Sequence, residues 1–238
     1  MNVLSLFAGI GGLELGLERA GMTTVGQVEI NPFCRRVLAK HWPEVPRHDD
    51  VRTATGWWAS EDRPAVDVVA GGYPCQPFSD AGRRQGAGDE RWGWPWMESV
   101  VRAVRPRYVV VENVPGLVRD RVAFGWMLAD LHLLGFDAEW GVLSACAVGA
   151  PHTRKRLFLV AYPSGERGQQ RGGFQLAQDR DPQRHVHHWK AVPEPHRVAD
   201  GVAGRMDRLA AIGNAVVPQV SEHIGRLIMA ADPIEAAA

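Results

Sequence analysis

The amino-acid sequence predicts an α/β fold built on a mostly parallel sheet. Short apolar runs alternate with segments of helical periodicity through the first two-thirds of the 238 residues, a pattern typical of consecutive βαβ units. Gly21 and Gly135 directly follow two of the helical segments, at positions where glycine forms a left-handed C-terminal cap with least strain. A hydrophobic fraction of 45% and a charged fraction of 23% suit a protein with one substantial core.

Each predicted element follows from its own local pattern. Strands are expected where short apolar runs are bounded by polar or turn residues, at 3–7, 24–28, 66–70, 108–111, 139–143 and 157–161. Helices are expected where apolar residues recur with the helical period, at 13–20, 32–41, 97–104 and 125–134. This alternation of strands and helices is the basis for predicting a parallel sheet.

The composition changes at residue 163. From 163 to 205 the chain is rich in Gly, Gln, Arg, His and Pro and has no sustained apolar period, which predicts an irregular surface insertion. The last apolar segment, 209–229, is interrupted by Gly213, Asn214 and Pro218. We expect it to form a turn followed by a C-terminal helix.

Charge and cysteine content exclude several classes of protein. Acidic and basic residues balance at 27 each, so any attraction for nucleic acid must come from local patches. Cys34, Cys75 and Cys146 are far apart and form no Cys-x-x-Cys pair, which argues against a structural zinc site or a disulfide-stapled secreted domain. The histidines at 185–188 lack paired ligands at a recognised spacing, so no metal is expected. The first apolar run is too short for a signal peptide or membrane span, and we expect a cytoplasmic protein without membrane contact.

A glycine-rich loop follows the first predicted strand. Residues 7–12 read Phe-Ala-Gly-Ile-Gly-Gly and lead into the first helix, whose N-terminal amides would face a ligand. Glu29 ends the next strand about 20 residues later, at the distance expected of a ribose-binding carboxylate. The loop lacks the full dinucleotide spacing, so a structural turn and a solvated strand end are the alternatives. With Asp50, which closes the run 47–50, the pattern favours a nucleotide-type pocket.

Two further predicted strands end in residues that can carry chemistry. Cys75 lies between Pro74 and Gln76 beyond the strand 66–70, which places it on a stiff turn at the carboxyl edge of the sheet. A cysteine considered alone is more often a buried structural residue. Glu112 follows the apolar strand 108–111, and partial burial would keep its carboxyl protonated near neutrality. The alternative for Glu112 is a solvated carboxylate that caps the following turn.

Together these segments resemble the cytosine-C5 DNA methyltransferase family, in the family's order over most of the chain. Pro74-Cys75-Gln76 resembles its catalytic motif, and Glu112-Asn113-Val114 resembles the motif that carries the base-activating glutamate. Residues 149–156 resemble its Gln-x-Arg-x-Arg segment, and residues 213–218 resemble its last motif. The resemblance implies four catalytic residues: Cys75, Glu112, Arg154 and Arg156. It implies a cofactor site made of Phe7, Ala8, Gly9, Gly11, Gly12, Glu29, Ile30, Asp50, Val51, Pro74, Asn214 and Ala215.

What the resemblance implies extends to fold, cofactor and partners. The fold would be the Rossmann-like fold of S-adenosylmethionine-dependent methyltransferases, with helices on both faces of the sheet and a small irregular recognition region. Residues 1–162 and 206–238 would form the catalytic domain, and 163–205 a short target-recognition insertion. The protein would transfer a methyl group from S-adenosylmethionine, without a metal, to C5 of a cytosine flipped out of double-stranded DNA. A cognate restriction enzyme or a specificity partner would accompany it.

The sequence departs from the family pattern in two places. His152 stands where glutamine is usual, and 163–205 is far shorter than the usual recognition domain, with no penultimate motif. Residues 76–94 hold four glycines and three arginines, which favours a mobile loop over the flipped base rather than an ordinary solvated loop.

Three other functions are weighed. A tRNA cytosine-C5 methyltransferase would carry a Cys-Phe-Thr tripeptide, but no cysteine here precedes phenylalanine. A non-catalytic subunit that binds S-adenosylmethionine or DNA would be expected to lose Cys75 or Glu112. A nicotinamide-dependent oxidoreductase would leave both of these motifs unexplained.

Overall fold

A sheet of seven strands forms the centre of the protein in a computed structural model, which describes residues 1–74, 92–165 and 205–232. The strands are β1 (Asn2–Leu6), β2 (Thr23–Val28), β3 (Arg47–His48), β4 (Val68–Gly71), β5 (Tyr108–Asn113), β6 (Phe136–Ser144) and β7 (Lys155–Pro163). Their order across the sheet is β3-β2-β1-β4-β5-β7-β6. β7 runs in the direction opposite to the other six strands, which all run the same way, so the prediction of a mostly parallel sheet is confirmed.

Helices cover both faces of this sheet, as expected. They are α1 (Gly12–Arg19), α2 (Pro32–His41), α3 (Ala54–Ala59), α4 (Trp94–Val104), α5 (Gly116–Arg119), α6 (Arg121–Leu133), α7 (Arg205–Asn214) and α8 (Pro218–Ala231). Successive residues of β5 alternate between two apolar clusters because strand side chains point to opposite faces. Val109 and Val111 join the cluster that includes α4 and α6. Tyr108 and Val110 join the cluster that includes α1 and α8.

Every predicted strand and helix is present, with ends that differ by a few residues. The largest difference is in α6, which begins at Arg121 rather than at 125. Asp120 caps that helix by accepting a hydrogen bond from Ala123 N at 3.1 Å, and Gly125 lies inside it. Gly21 and Gly135 have φ angles of 101° and 88°, so the predicted left-handed caps are confirmed.

The prediction near the C-terminus is confirmed in part. The interruption before Pro218 and the C-terminal helix that follows it are present, but residues 205–214 form a further helix, α7, that was not predicted. The chain leaves the helical conformation only at 215–217, and Pro218 then begins α8. Gly213 is tolerated in the last turn of a helix, where its conformational freedom costs little. The short elements β3, α3 and α5 were also not predicted.

The strand ends determine where a site can form. The carboxyl ends of β1, β2, β4 and β5 meet at one edge of the sheet because these strands are parallel. At the opposite edge, Arg107 donates to both carboxylate oxygens of the buried Asp232 at 2.8 and 2.6 Å, which fixes the end of α8. No helix in the described segments is long and apolar enough to span a bilayer.

Candidate active site

The glycine loop after β1 is a tight left-handed turn. Phe7, Gly9 and Gly11 have φ angles of 55°, 57° and 90°. A Cβ atom on Gly11 would lie 2.4 Å from the Trp42 ring, so the loop packs closely against the residue that ends α2. A Cβ on Gly9 would meet no described atom within 4 Å. The backbone at Gly9 is therefore open on the side where a ligand would approach.

Glu29 connects this loop to the start of α2. Its side chain is buried, and its two oxygens accept hydrogen bonds from Gly9 N and Asn31 N, each at 2.7 Å. A carboxylate has about four lone-pair sites, so two acceptor positions remain for hydroxyl donors. Ile30, beside it, is 67% exposed and presents an apolar surface at the same edge.

Asp50 and Val51 follow β3 at the same edge. Asp50 accepts a hydrogen bond from Arg52 N at 2.9 Å and binds the Arg52 guanidinium at 2.6 Å. These contacts with Arg52 hold the pKa of Asp50 down at about 2. Val51 is buried beneath it. Asp50 is thus an ionised carboxylate whose position is fixed by its neighbour.

The C-terminal segment returns beside the glycine loop. Asn214 and Ala215 lie where α7 ends, just before Val216. A Cβ on Gly12 would lie 2.4 Å from Val216 O, and Ser221 in α8 donates to Gly12 O at 3.2 Å. This brings together residues more than 200 positions apart in the sequence.

The nucleophile predicted at Cys75 lies outside the described residues, which end at Pro74 on that side. Tyr73 immediately precedes Pro74 and is buried. Its ring makes an edge contact with Phe7 of the glycine loop, with ring centroids 6.4 Å apart. The base of the predicted nucleophile turn therefore packs directly against the glycine loop. Residues 76–91 of the predicted mobile loop and most of 163–205 are also outside the described part. The end of that loop was predicted wrongly, because Trp92 and Trp94 are buried and Trp94 begins α4.

Glu112 is a buried acid at the end of β5. Burial raises the pKa of Glu112 to about 7, while the positive charges of Arg156 and Arg154 lower it. Arg156 Nε lies 3.1 Å from Glu112 Oε1 without the alignment of a good hydrogen bond. Because the loss of water outweighs two nearby cations, the Glu112 carboxyl retains its proton to a much higher pH than an exposed glutamate does.

The two arginines of the 149–156 segment have different partners. Arg156 forms the ion pair with Glu112, whereas Arg154 donates from Nη1 to Gly213 O at 2.7 Å. Arg154 therefore joins β7 to the end of α7 and acts on Glu112 through its charge. His152, which replaces the usual glutamine, is exposed.

Two residues that contribute to this geometry were not singled out from the sequence. A Cβ on Gly72 would lie 2.7 Å from Glu112 Oε2, so the absence of a side chain at Gly72 leaves the space that this carboxylate occupies. Asn113 is buried and donates from Nδ2 to Tyr73 O at 3.3 Å. Both residues lie next to a predicted catalytic residue or motif, and that proximity in sequence could have singled them out. Their contacts could not be predicted, because they depend on which strands are neighbours in the sheet. Within the described segments, no three His, Cys, Asp or Glu side chains converge as a metal site would require.

Comparison with known proteins identifies the family. Residues 1–200 match the model of the C-5 cytosine-specific DNA methylases, and the chain belongs to this family. It is 35% identical over 168 residues to the type II methyltransferase M2.BsuMI of Bacillus subtilis, covering 68% of this chain and 42% of that protein. It is also 35% identical over 162 residues to M.HgiCII of Herpetosiphon aurantiacus, covering 66% and 36%.

Solved structures agree on the fold. The Dnmt2 methyltransferase of Schizosaccharomyces pombe (S. pombe) superimposes with a TM-score of 0.56 at 25% identity, over 68% of this chain and 51% of that one. DNMT2 of Spodoptera frugiperda gives a TM-score of 0.54 at 23% identity, over 69% and 50%. These likenesses confirm the Rossmann-like methyltransferase fold. The chain spans about half the length of these structures and less than half of the two sequence relatives.

Proposed function

We propose that this chain transfers a methyl group from S-adenosylmethionine to C5 of cytosine in double-stranded DNA, with Cys75 as nucleophile. The observation that carries the proposal is Glu112, a buried acid with a pKa near 7 at the strand end beside the Cys75 turn. Both sequence relatives named above are type II methyltransferases. Membership of the C-5 cytosine-specific family supports cytosine as the target base and C5 as the atom that is methylated.

The chemistry divides between four side chains. The Cys75 thiolate forms a bond to C6 of the cytosine, and the ring electrons that this releases are accommodated when Glu112 donates its proton to N3. The charges of Arg156 and Arg154 stabilise the carboxylate that Glu112 leaves behind. C5, now enamine-like, would bond the methyl group as the methyl–sulfur bond of the cofactor breaks and its electron pair stays on sulfur. Loss of the C5 proton to a base then drives out the Cys75 thiolate, and N3 returns its proton to Glu112, which restores the neutral aromatic ring.

S-adenosylmethionine fits the glycine-loop edge of the sheet. Glu29 retains lone pairs for ribose hydroxyls, Asp50 and the apolar surfaces of Ile30 and Val51 suit an adenine ring, and the open backbone at Gly9 admits the chain of the cofactor. The remaining contacts are assigned to Phe7, Ala8, Gly11, Gly12, Pro74, Asn214 and Ala215. When bound, the cofactor supplies an electrophilic methyl group on its sulfonium sulfur.

Recognition of the DNA target is assigned to residues 163–205, inserted between a catalytic domain of 1–162 and 206–238. The insertion begins at the end of β7 and returns at α7, and Val216, just after α7, lies against Gly12 of the glycine loop. Because the insertion is short, a separate specificity partner is proposed, as is a cognate restriction enzyme, since the relatives are type II enzymes. The reduced thiols that this chemistry needs suit the cytoplasm.

Two variants test the nucleophile. Cys75→Ala is expected to abolish methyl transfer and to leave S-adenosylmethionine binding within a few-fold of wild type. Cys146→Ala, which removes a half-buried cysteine elsewhere, serves as the matched control and retains activity. Wild-type protein should become covalently attached to DNA containing 5-fluorocytosine, since fluorine cannot leave C5 as a proton does. Methylation by Cys75→Ala at more than a few per cent of the wild-type rate would contradict the proposal.

A second experiment identifies the substrate. Bisulfite sequencing of DNA from cells that express the protein should show unconverted cytosines at a short recurrent sequence. The same cells provide tRNA for parallel bisulfite sequencing, which should show no new methylation. Methylation confined to tRNA would overturn the assignment of DNA as substrate.

A further inference from the structure

The two residues that follow β4, Gly72 and Tyr73, lie beside the last two residues of β5, Glu112 and Asn113. Gly71 is paired with Val111 in the parallel register, so the chain after Gly71 runs alongside Glu112 and Asn113. Gly72 leaves space for the Glu112 carboxylate, and Tyr73 O accepts a hydrogen bond from Asn113. The strand end that carries the proposed acid thus also contacts the chain that leads to the proposed nucleophile.

Both ends of the Asn113 amide are engaged with backbone. Asn113 is only 2% exposed; its Nδ2 donates to Tyr73 O at 3.3 Å, and its Oδ1 accepts from Val114 N at 2.9 Å. Tyr73 lies two residues before Cys75, and Val114 lies two residues after Glu112. A single buried side chain therefore connects the backbone near both reacting groups.

The Tyr73 side chain is itself held in place. Its ring contacts Phe7 and Trp94, with centroids 6.4 and 6.3 Å away, and its hydroxyl donates to Met127 Sδ at 3.4 Å. With the side chain fixed, the remaining freedom at Tyr73 is rotation of its carbonyl group. The hydrogen bond from Asn113 removes that freedom.

The direction of the Tyr73 carbonyl matters because proline follows. Pro74 has a φ angle confined by its ring and no N–H with which to anchor itself to a neighbouring strand. The plane of the peptide bond between Tyr73 and Pro74 therefore determines, with one further rotation, the direction in which the chain continues to Cys75. Asn113 fixes that plane.

We propose that Asn113 is a positioning residue that orients the Tyr73–Pro74 peptide and thereby directs Cys75 toward the cytosine that Glu112 protonates. This inference rests on the proposed role of Cys75. Asn113 does not touch substrate; it acts through the backbone on which Cys75 is carried.

The variant Asn113→Asp, in which an oxygen replaces Nδ2, tests the proposed positioning role of Asn113. When ionised, aspartate keeps the acceptor for Val114 N but replaces the donor to Tyr73 O with a second acceptor. Asn113→Ser, measured in parallel, removes the same donor without adding a charge beside Glu112. We expect the rate of covalent trapping on 5-fluorocytosine DNA to fall about 10²-fold, the usual cost of a misplacement of about 1 Å. Alkylation of Cys75 by iodoacetamide without DNA, followed by peptide mass spectrometry, should stay within about twofold of wild type, because it does not depend on the thiol's direction. Affinity for DNA should be unchanged, and affinity for S-adenosylmethionine should fall by no more than a few-fold, because Pro74 is only one of its proposed contacts.

A matched variant controls for loss of stability. Asn2 Nδ2 donates to Ala65 O at 2.9 Å at the opposite edge of the sheet, so Asn2→Asp breaks a more exposed amide-to-carbonyl hydrogen bond far from the site. It should lower the melting temperature without slowing the trapping reaction. If Asn113→Asp does not fold, Asn113→Ser, which is too short to reach Tyr73 O, provides the result alone in the same measurements.

The outcomes separate this inference from the proposed function. Failure of the wild-type protein to trap 5-fluorocytosine DNA would overturn the role of Cys75 and this inference with it. A wild type that traps, together with an Asn113 variant that traps at the wild-type rate, would overturn the inference alone. A parallel fall in trapping, alkylation, cofactor affinity and melting temperature would also overturn it, because it would make Asn113 merely structural.

Discussion

Two opposing effects determine the pKa of Glu112. Burial at the end of β5 removes the water that would stabilise its carboxylate, and Arg156 and Arg154 restore part of that stabilisation. The balance leaves the pKa of Glu112 at about 7, which suits an acid that must donate a proton near neutral pH and recover it. A more exposed carboxyl would remain ionised, and one without the arginines would hold its proton too tightly.

Glu112→Gln is predicted to slow methyl transfer rather than cofactor binding. Glutamine keeps the shape and a hydrogen-bond donor but cannot transfer a proton, so the single-turnover rate should fall about 10²–10⁴-fold. The wild-type rate should decline as pH rises above about 7, where Glu112 loses its proton, and the variant should lack this decline. Rapid-quench measurements at saturating DNA and S-adenosylmethionine provide both results. A near-normal rate in the variant would make Glu112 a structural carboxylate.

Glu29→Ala is predicted to weaken S-adenosylmethionine binding for two reasons. It removes the proposed acceptor for the ribose hydroxyls, and it releases Gly9 N and Asn31 N, which Glu29 now holds. Hydrogen bonds to a charged acceptor contribute roughly 1.5–3 kcal/mol, so affinity should fall by roughly ten- to a hundred-fold in calorimetry. Glu44→Ala removes an exposed acid beyond α2 and should leave affinity unchanged. Equal affinities in both variants would exclude Glu29 from the site.

At the scale of whole elements, α1 and α8 approach each other unusually closely. A Cβ on Gly16 of α1 would lie 2.0 Å from Ser221 Oγ and 2.3 Å from Pro218 O. Gly225 of α8 similarly faces Ala20, at 2.6 Å. Because α1 begins directly after the glycine loop, the spacing of these two helices also fixes that loop.

Gly16→Ala is therefore predicted to destabilise the protein although alanine favours helices. The added methyl group would overlap backbone atoms of α8 that cannot move independently, at a cost of roughly 1–3 kcal/mol. Gly125→Ala is the matched control, since a Cβ there meets no described atom within 4 Å in the interior of α6. It should stabilise the protein by up to about 1 kcal/mol. Urea unfolding of both variants gives the comparison, and equal changes would mean that α1 and α8 are not closely packed in solution.

For the molecule as a whole, local sequence patterns predicted the elements but not their contacts. The apolar run before Glu112 predicted both a strand and a partly buried acid, because each depends on neighbours in sequence. The Arg156 partner of Glu112 and the Asn113 contact with Tyr73 depend on which strands lie side by side, which periodicity does not specify. β3 has only two residues and is too short for any periodic signal. The proximity of the 213–218 segment to the glycine loop was expected only through the family resemblance, which placed Asn214 and Ala215 in the cofactor site.

A second buried acid affects the stability of the entire fold. Glu14 of α1 is fully buried beneath the glycine loop, and burial raises its pKa to about 7. The neighbouring Ser5 hydroxyl lowers this pKa without completing a well-formed hydrogen bond, and the negative charges of Glu18 and Glu29 raise it. Neither carboxyl oxygen of Glu14 has a hydrogen-bond partner among the described residues. The folded protein therefore favours the protonated form of Glu14.

This preference predicts how stability depends on pH. In the unfolded chain Glu14 loses its proton near pH 4.5, whereas in the folded protein it keeps the proton up to about pH 7. Between these values the folded state binds more protons, so the free energy of unfolding decreases as pH rises, by about 3 kcal/mol in all at roughly 1.4 kcal/mol per pKa unit. Glu112 adds a decrease of the same sign over the same range.

Glu14→Gln separates the contribution of Glu14 from that of Glu112. The uncharged side chain removes the ionisation, so the variant's free energy of unfolding, minus that of wild type, should increase from pH 4.5 to about 7 and be constant outside this range. Urea unfolding at half-unit pH steps measures this difference, and Glu44→Gln, at an exposed acid, should give a curve parallel to wild type. If the Glu14→Gln curve also ran parallel to wild type from pH 4.5 to 7, Glu14 would have to be ionised in the folded protein. A buried cation or water would then have to stabilise it beneath the glycine loop.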